Sequence, residues 1–351
     1  MRKSNIHSIF INCATGLGNI ILFLPAYRSI RKLFPDSRYI IALDPRWFGD
    51  SFFIQLFGQD VKFIKTAIHL SRFQNLIKLM KILKYLRKEK FDIVIMPYSG
   101  NSWKLGLFLL LIGAYQTLFF KTGKRWLDKK FDICLPVIEG EHYLNRNLRL
   151  AESLGSKAEI PIGSWITLQN EEVNPQKLER NDKINIGIHP CVNEEFNISR
   201  RWPKEYFKKL INMMNKYRDD MQIILFGTLN DEKLIDEICS NEKNCIKIIN
   251  KSLLEVSRYL LQCDLFIGND SGIMNLATGL GIPTLGILGP TNPKHTGPYG
   301  DKYRTARLEL SCSPCFDKGH SLKCKNRKCL IDLKPNMVWT ITKEMLNMGK
   351  K

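Results

Sequence analysis

Asp270, Ser271 and Gly272 lie between two apolar runs, 265–267 and 273–279, with a third apolar run at 283–288. The first reads as a buried strand, the second as a short helix and the third as another buried strand. In such a unit the N–H groups of Ser271 and Gly272 stand at a helix N-terminus, where unpaired donors and the macrodipole hold phosphate oxygens. Asp270 cannot hold a phosphate, because like charges repel, but its carboxylate accepts hydrogen bonds from sugar hydroxyls. A phosphate cradle beside a hydroxyl acceptor is the chemistry of a nucleotide-sugar site.

Three further clusters bear on that chemistry. Arg200 and Arg201 precede Trp202-Pro203 in a loop after a predicted strand at 184–188. Their forked donors suit diphosphate oxygens; the alternative is a solvated pair at a helix start, where the macrodipole disfavours a cation. Asp231, in Gly227-Thr-Leu-Asn-Asp231, reads either as an acceptor for ribose hydroxyls or as an ordinary first-turn acid. Gly16 and Gly18 come after a predicted strand, but Ile21 stands where G-x-G-x-x-G needs its third glycine. They are read as a turn that lets the chain approach a substrate across a cleft.

Cys312, Cys315, Cys324 and Cys329 are spaced C-x2-C-x8-C-x4-C, which suits a four-thiolate zinc site. With His320 the run is one residue short of a zinc knuckle, and reduced structural cysteines are the alternative. None of the four is assigned to catalysis.

The elements that must position these groups alternate regularly. Strands are predicted at 8–13, 39–43 and 91–96, with helices at 20–33 and 141–154. A second series has strands at 184–188, 222–226 and 245–249, with helices at 202–217, 231–239 and 252–262. Ser252-Leu-Leu-Glu255 fits a capping box. The alternation predicts parallel sheets with helices on both faces and ligands at the carboxyl ends of the strands. A chain of 351 residues accommodates two such domains: 1–165, a linker at 166–182 where periodicity is lost, and 183–351.

The formal charge of +19 is unevenly placed, Lys+Arg outnumbering Asp+Glu by 25 to 12 over residues 1–165 and by 28 to 22 over the rest. Over 70–90, Phe73, Leu76, Leu79, Met80 and Leu83 share one arc of a helical wheel, while Lys78, Lys81, Lys84 and Lys88 share another. This predicts a basic amphipathic helix packed on a core and touching an anionic surface. No run approaches the roughly 18 to 20 apolar residues of a membrane span, so the expected location is cytoplasmic and peripheral on the inner face of the cytoplasmic membrane. Ten cysteines in that compartment are expected to be mostly thiols or metal ligands.

With these residues in view the chain resembles glycosyltransferase family 9, the lipopolysaccharide heptosyltransferase-like enzymes. The resemblance spans nearly the full length: Gly16-Leu-Gly-Asn-Ile-Ile-Leu-Phe-Leu-Pro25, Arg200-Arg-Trp-Pro203, Gly268-Asn-Asp-Ser-Gly272, Leu288-Gly-Pro-Thr-Asn-Pro293, Gly297-Pro-Tyr-Gly300 and the cysteine-bearing segment 312–329. It implies an α/β protein of GT-B architecture, with two facing Rossmann-like domains and an interdomain cleft. The first domain would bind the acceptor and the second the nucleotide sugar. It implies an inverting glycosyltransferase that moves heptose from ADP-heptose onto a lipopolysaccharide core or related lipid-linked, anionic acceptor, with no cofactor required for catalysis. The alternatives are a different nucleotide-sugar donor or a catalytically weakened GT-B binding protein; nucleic acid is not the expected partner.

Carried over by position, the amides of Ser271 and Gly272 would bind the donor phosphates and Asp270 the sugar hydroxyls. Arg200 would replace the usual phosphate-binding Lys, with Arg201 and Asn275 beside the donor. Thr228, Asp231 and Lys251 would lie near base and ribose. The family's general base is an Asp where this chain has Asn19, and its His near the sugar is here Asn275. A neutral amide cannot take the acceptor's proton.

Overall fold

The computed structural model describes residues 6–47, 49–66, 76–98, 102–157, 159–169, 183–192, 198–240, 245–316, 324 and 326–348. The chain divides into two units, Met1–Pro161 and Ile162–Lys351. Each carries one six-stranded sheet in which every neighbouring pair is parallel. A parallel sheet buries both faces under helices, so its inner strands are continuous apolar runs.

In the first unit the strands are β1 (Ser8–Cys13), β2 (Arg38–Leu43), β3 (Lys62–Lys65), β4 (Ile93–Ile95), β5 (Gln116–Phe120) and β6 (Ile133–Leu135). The helices are α1 (Leu17–Leu33), α2 (Ser51–Phe57), α3 (Leu76–Lys88), α4 (Trp103–Ile112), α5 (Arg125–Asp128) and α6 (Tyr143–Ser153). The second unit has β7 (Ile184–His189), β8 (Met221–Gly227), β9 (Cys245–Ile249), β10 (Leu265–Asn269), β11 (Thr284–Ile287) and β12 (Tyr303–Ala306). Its helices are α7 (Lys204–Tyr217), α8 (Glu232–Cys239), α9 (Leu253–Leu260), α10 (Gly272–Gly279), α11 (Pro293–Thr296), α12 (Lys328–Ile331) and α13 (Pro335–Met348).

Both sheets have the doubly wound order. It is β3-β2-β1-β4-β5-β6 in the first unit and β12-β11-β10-β7-β8-β9 in the second. The chain therefore winds outward in opposite directions from β1 and β4, and from β7 and β10. At such a switch point the two connecting loops diverge and leave a crevice at the carboxyl edge. Phe10, Val94 and Phe119 belong to the core of the first unit, and Ile186, Phe207 and Ile267 to that of the second.

Several local expectations are revised. Helix α1 begins at Leu17, so Gly18 and Asn19 belong to its first turn, and its cap Gly16 has an ordinary extended backbone (φ −68°). In α3 the core-facing residues are Leu83 and Leu86, flanked by Leu79 and Ile82, whereas Met80 points outward with the lysines; residues 67–75, with Phe73, lie outside the described residues. The N–H groups of Trp165 and Ile166 both donate to the Gly279 carbonyl, at 2.9 and 2.8 Å, which ties this stretch to the second unit. Most of the expected linker, 170–182, lies outside the described residues. Cys239 at the end of α8 and Cys245 at the start of β9 form a disulfide, and the other eight cysteines are thiols. Not every cysteine is thus reduced, because a short connection brings these two side by side.

Candidate active site

The crevice of the second unit is built from the loops that leave β10 and β7. These strands are paired so that Gly268 lies level with His189, and the two loops start side by side. After β10 comes Asp270, then Ser271 as the cap of α10, its hydroxyl accepting from Met274 N–H at 3.4 Å. The helix sits close to the sheet because β11 offers it a glycine. A Cβ at Gly286 would lie 2.8 Å from Met274 Sδ.

After β7 the chain runs through the short 3-10 turn Ile198–Arg200 to α7. This turn swings Arg200 back over Asp270, with guanidinium and carboxylate 3.3 Å apart. The same carboxylate oxygen, buried, accepts from Thr291 Oγ1 at 2.7 Å. Arg200 also lies over the Phe316 ring, 4.8 Å from its centroid. Its Nε is buried without a hydrogen-bond partner among the described residues. So is Asn275 Oδ1, one turn into α10 from Ser271. A buried donor and a buried acceptor without partners near a helix N-terminus are costly unless a ligand satisfies them.

Residues that the sequence did not single out hold the Arg200 loop in place. Asn269, wholly buried at the end of β10, accepts from Trp202 N–H at 3.0 Å and donates to the Pro190 carbonyl at 2.8 Å. It thereby pins both ends of the loop between β7 and α7. Arg327 donates to the carbonyls of Ile198 and Arg201, each at 3.3 Å, on the two sides of Arg200. The cysteine-bearing segment therefore contributes Phe316 and Arg327 as supports. His189, at the end of β7, stands beside the cap of α10: its Nδ1 lies 3.3 Å from Ser271 Oγ. Burial pushes its pKa down to about 4, with the Asp231 charge acting the other way, so the ring is neutral near pH 7.

Asp231 is occupied: one carboxylate oxygen accepts from Thr228 N–H at 2.8 Å and Thr228 Oγ1 at 2.6 Å, completing a capping box. It follows β8 as Ser271 follows β10, on the same carboxyl edge of the parallel sheet. Lys251 pairs with Glu255 at 3.4 Å, and Ser252 caps α9 as the capping-box spacing predicts. Asn250 between them and β9 takes a left-handed backbone, φ 54°, its N–H bonded to the Gly227 carbonyl at 3.1 Å. In the first unit Gly16, Gly18 and Asn19 come after β1 at that unit's own switch point. The Asn19 amide donates to Thr15 Oγ1 at 2.9 Å.

Cys312, Cys315, Cys324 and Cys329 are all thiols, and the first three lie within electrostatic reach of the fourth. Among the described residues no three His, Cys, Asp or Glu side chains are grouped to hold a metal ion; His320 lies outside them. Cys329 is buried against the second core while Cys312 and Cys324 are exposed. Burial, reinforced by Cys315, Cys324 and Cys312, pushes the Cys329 thiol up to about 11.

The family described as glycosyltransferase family 9 (heptosyltransferase) matches residues 79–326, more than half of the chain and including Arg200, Asp270 and Ser271. The chain belongs to glycosyltransferase family 9. It is accordingly a glycosyltransferase of the GT-B type. It is 29% identical to lipooligosaccharide heptosyltransferase 2 of Campylobacter jejuni subsp. jejuni serotype O:2, over 96% of this chain and 98% of that protein. It is 28% identical to lipopolysaccharide heptosyltransferase 2 of Escherichia coli strain K12 over 34% of this chain and 35% of the other. Among solved structures it is similar to the E. coli ADP-heptose lps heptosyltransferase II, with a TM-score of 0.71 at 20% identity, covering 98% of this chain and all of the other. The E. coli heptosyltransferase WaaC with ADP gives 0.70 at 17% identity, covering 96% and 99%. These structures share the fold at low sequence identity.

Proposed function

We propose that this family 9 enzyme transfers heptose from ADP-heptose onto the core of a lipopolysaccharide or related lipid-linked acceptor, with inversion at the anomeric carbon. The observation that carries the reading is the arrangement of Arg200, Asp270 and Ser271 at the β7/β10 switch point, with Arg200 Nε and Asn275 Oδ1 unspent. A diphosphate lying across the N-terminus of α10 would accept from the Ser271 and Gly272 amides and from Arg200. The sugar would present hydroxyls to Asp270 and Asn275. Arg201, Thr228, Asp231 and Lys251 would border the base and ribose. The C. jejuni relative, a heptosyltransferase matched over nearly its whole length, supports the choice of sugar.

In the reaction the acceptor oxygen forms a bond to the anomeric carbon while the bond from that carbon to the diphosphate oxygen breaks. The departing ADP gains negative charge, which the Arg200 guanidinium and the α10 N-terminus meet; fixed donors aimed at developing charge are the most effective catalytic groups. The acceptor's proton leaves to a base other than Asn19, whose amide orients the Thr15 hydroxyl and has no proton affinity.

The test is ADP release with ADP-heptose and a phosphorylated, heptose-deficient core lipid, with the product identified by mass. Release with another nucleotide sugar in place of ADP-heptose would transfer the reading to that donor. Thermal stabilisation by a donor with no release would leave a binding protein, and neither release nor stabilisation with any donor would remove the reading.

A further inference from the structure

We infer that the α3–α4–α5 surface of the first unit is a docking face for an anionic lipid bilayer. The inference extends the proposed function, whose lipid-linked acceptor lies on such a surface, and rests on it for that choice of partner.

The observations are exposure and charge. In α4, sequence WKLGLFLLLI, Lys104 is the sole polar side chain, and a helix apolar on all sides belongs under a cover. Yet Trp103 and Leu111 are each 41% exposed, and Leu107 on the same stripe is only half-buried. Helices α3 and α5 both pack against α4. The outward arc of α3 mixes Ile77, 73% exposed, and Met80, 58% exposed, with Lys81, Lys84 and Lys88. From α5, Trp126 is 54% exposed beside Lys124, Arg125, Lys129 and Lys130.

A patch of this kind marks a partner, and its charge selects which. From Leu76 to Lys130 there are twelve Lys and Arg residues and three acids, Glu89, Asp92 and Asp128. All three are committed: Glu89 pairs with Arg38 and Lys62, Asp92 accepts from the N–H groups of His7 and Ser8, and Asp128 accepts from the N–H and hydroxyl of Thr122. A second copy of this chain would bring an equally basic face against it. Anionic headgroups neutralise the lysines while tryptophan, methionine and isoleucine enter the acyl boundary, as for an interfacial helix. Among the described residues no helix is long and apolar enough to cross a membrane, so contact would be from one side.

The experiment is co-sedimentation of the whole protein with vesicles of phosphatidylcholine alone or mixed with phosphatidylglycerol. Binding to the mixed vesicles, weakened by salt, is expected. Lys81→Glu with Lys84→Glu should weaken it by about tenfold or more, since each basic residue near such a surface contributes appreciably. Ile77→Ser with Met80→Ser should weaken binding at high salt as well as low. Both variants should retain transfer onto a lipid-free core oligosaccharide. Equal binding by the wild type and both variants would overturn the inference. So would a concentration-dependent dimer that both variants abolish with no vesicle binding at all. Vesicle binding without any transfer would instead leave the docking face standing and remove the proposed function.

Discussion

At the residue scale, the donor site turns on how Arg200 divides its five donors. One nitrogen is used on Asp270, while Nε is left over in a buried position. A cation half spent on a carboxylate keeps its orientation and still has charge to give a diphosphate. Arg200→Ala should therefore lower kcat by about 10²–10³-fold, with a much smaller effect from Arg200→Lys, which restores charge but not the fork. Steady-state ADP release checks this, and an Arg200→Lys variant as active as the wild type would remove the forked contact.

His189 supplies a second prediction. Its folded pKa of about 4 lies below the ordinary 6.5, so the folded state prefers the neutral ring. The stability gained is complete above pH 6.5 and is lost as pH falls from there toward 4. Urea midpoints measured between these values should fall with acidity in the wild type, and more gently in His189→Gln.

At the element scale, the loop between β7 and α7 acts as a unit because it is clamped twice, by Asn269 from β10 and by Arg327 from the segment before α12. The clamps differ in depth. Asn269 is wholly buried and serves two backbone groups, so Asn269→Ala should destabilise the fold by about 1–3 kcal/mol for each group orphaned. Arg327→Ala removes a more exposed support. It should lower kcat by about tenfold through loss of the Arg200 position, while the urea midpoint moves little. Comparing denaturation with turnover for the two variants separates a structural clamp from a positioning one. The boundaries of β1, β9 and most strands were legible in the sequence because each is a short apolar run between polar turns. The outward placement of Met80 was not, because a helical wheel ranks arcs by apolarity and α3 is apolar on more than one side.

At the scale of the whole molecule, two units of the same strand order each place a polar turn at a switch point, one after β1 and one after β10. The second contains the proposed nucleotide contacts, so ADP alone should stabilise the protein. The gain is about 2.7 kcal/mol at a hundred times its dissociation constant, read as a rise in the thermal midpoint that Asp270→Ala and Arg200→Ala diminish.

By itself the sequence determined the two parallel α/β halves and the phosphate-binding turn, since alternating apolar runs and a polar turn before a helix are local signals. It also located the candidate chemistry at Arg200, Asp270, Ser271 and Gly272. Only the tertiary structure decided that Arg200 faces Asp270, that Thr291 and Phe316 share that pair, and that Asn269 and Arg327 fix it. The physical reason is distance along the chain. Asn269 meets partners 67 and 79 residues away, and Arg327 meets one 129 residues away. No local periodicity encodes such a bond; the order of strands in the sheet creates it.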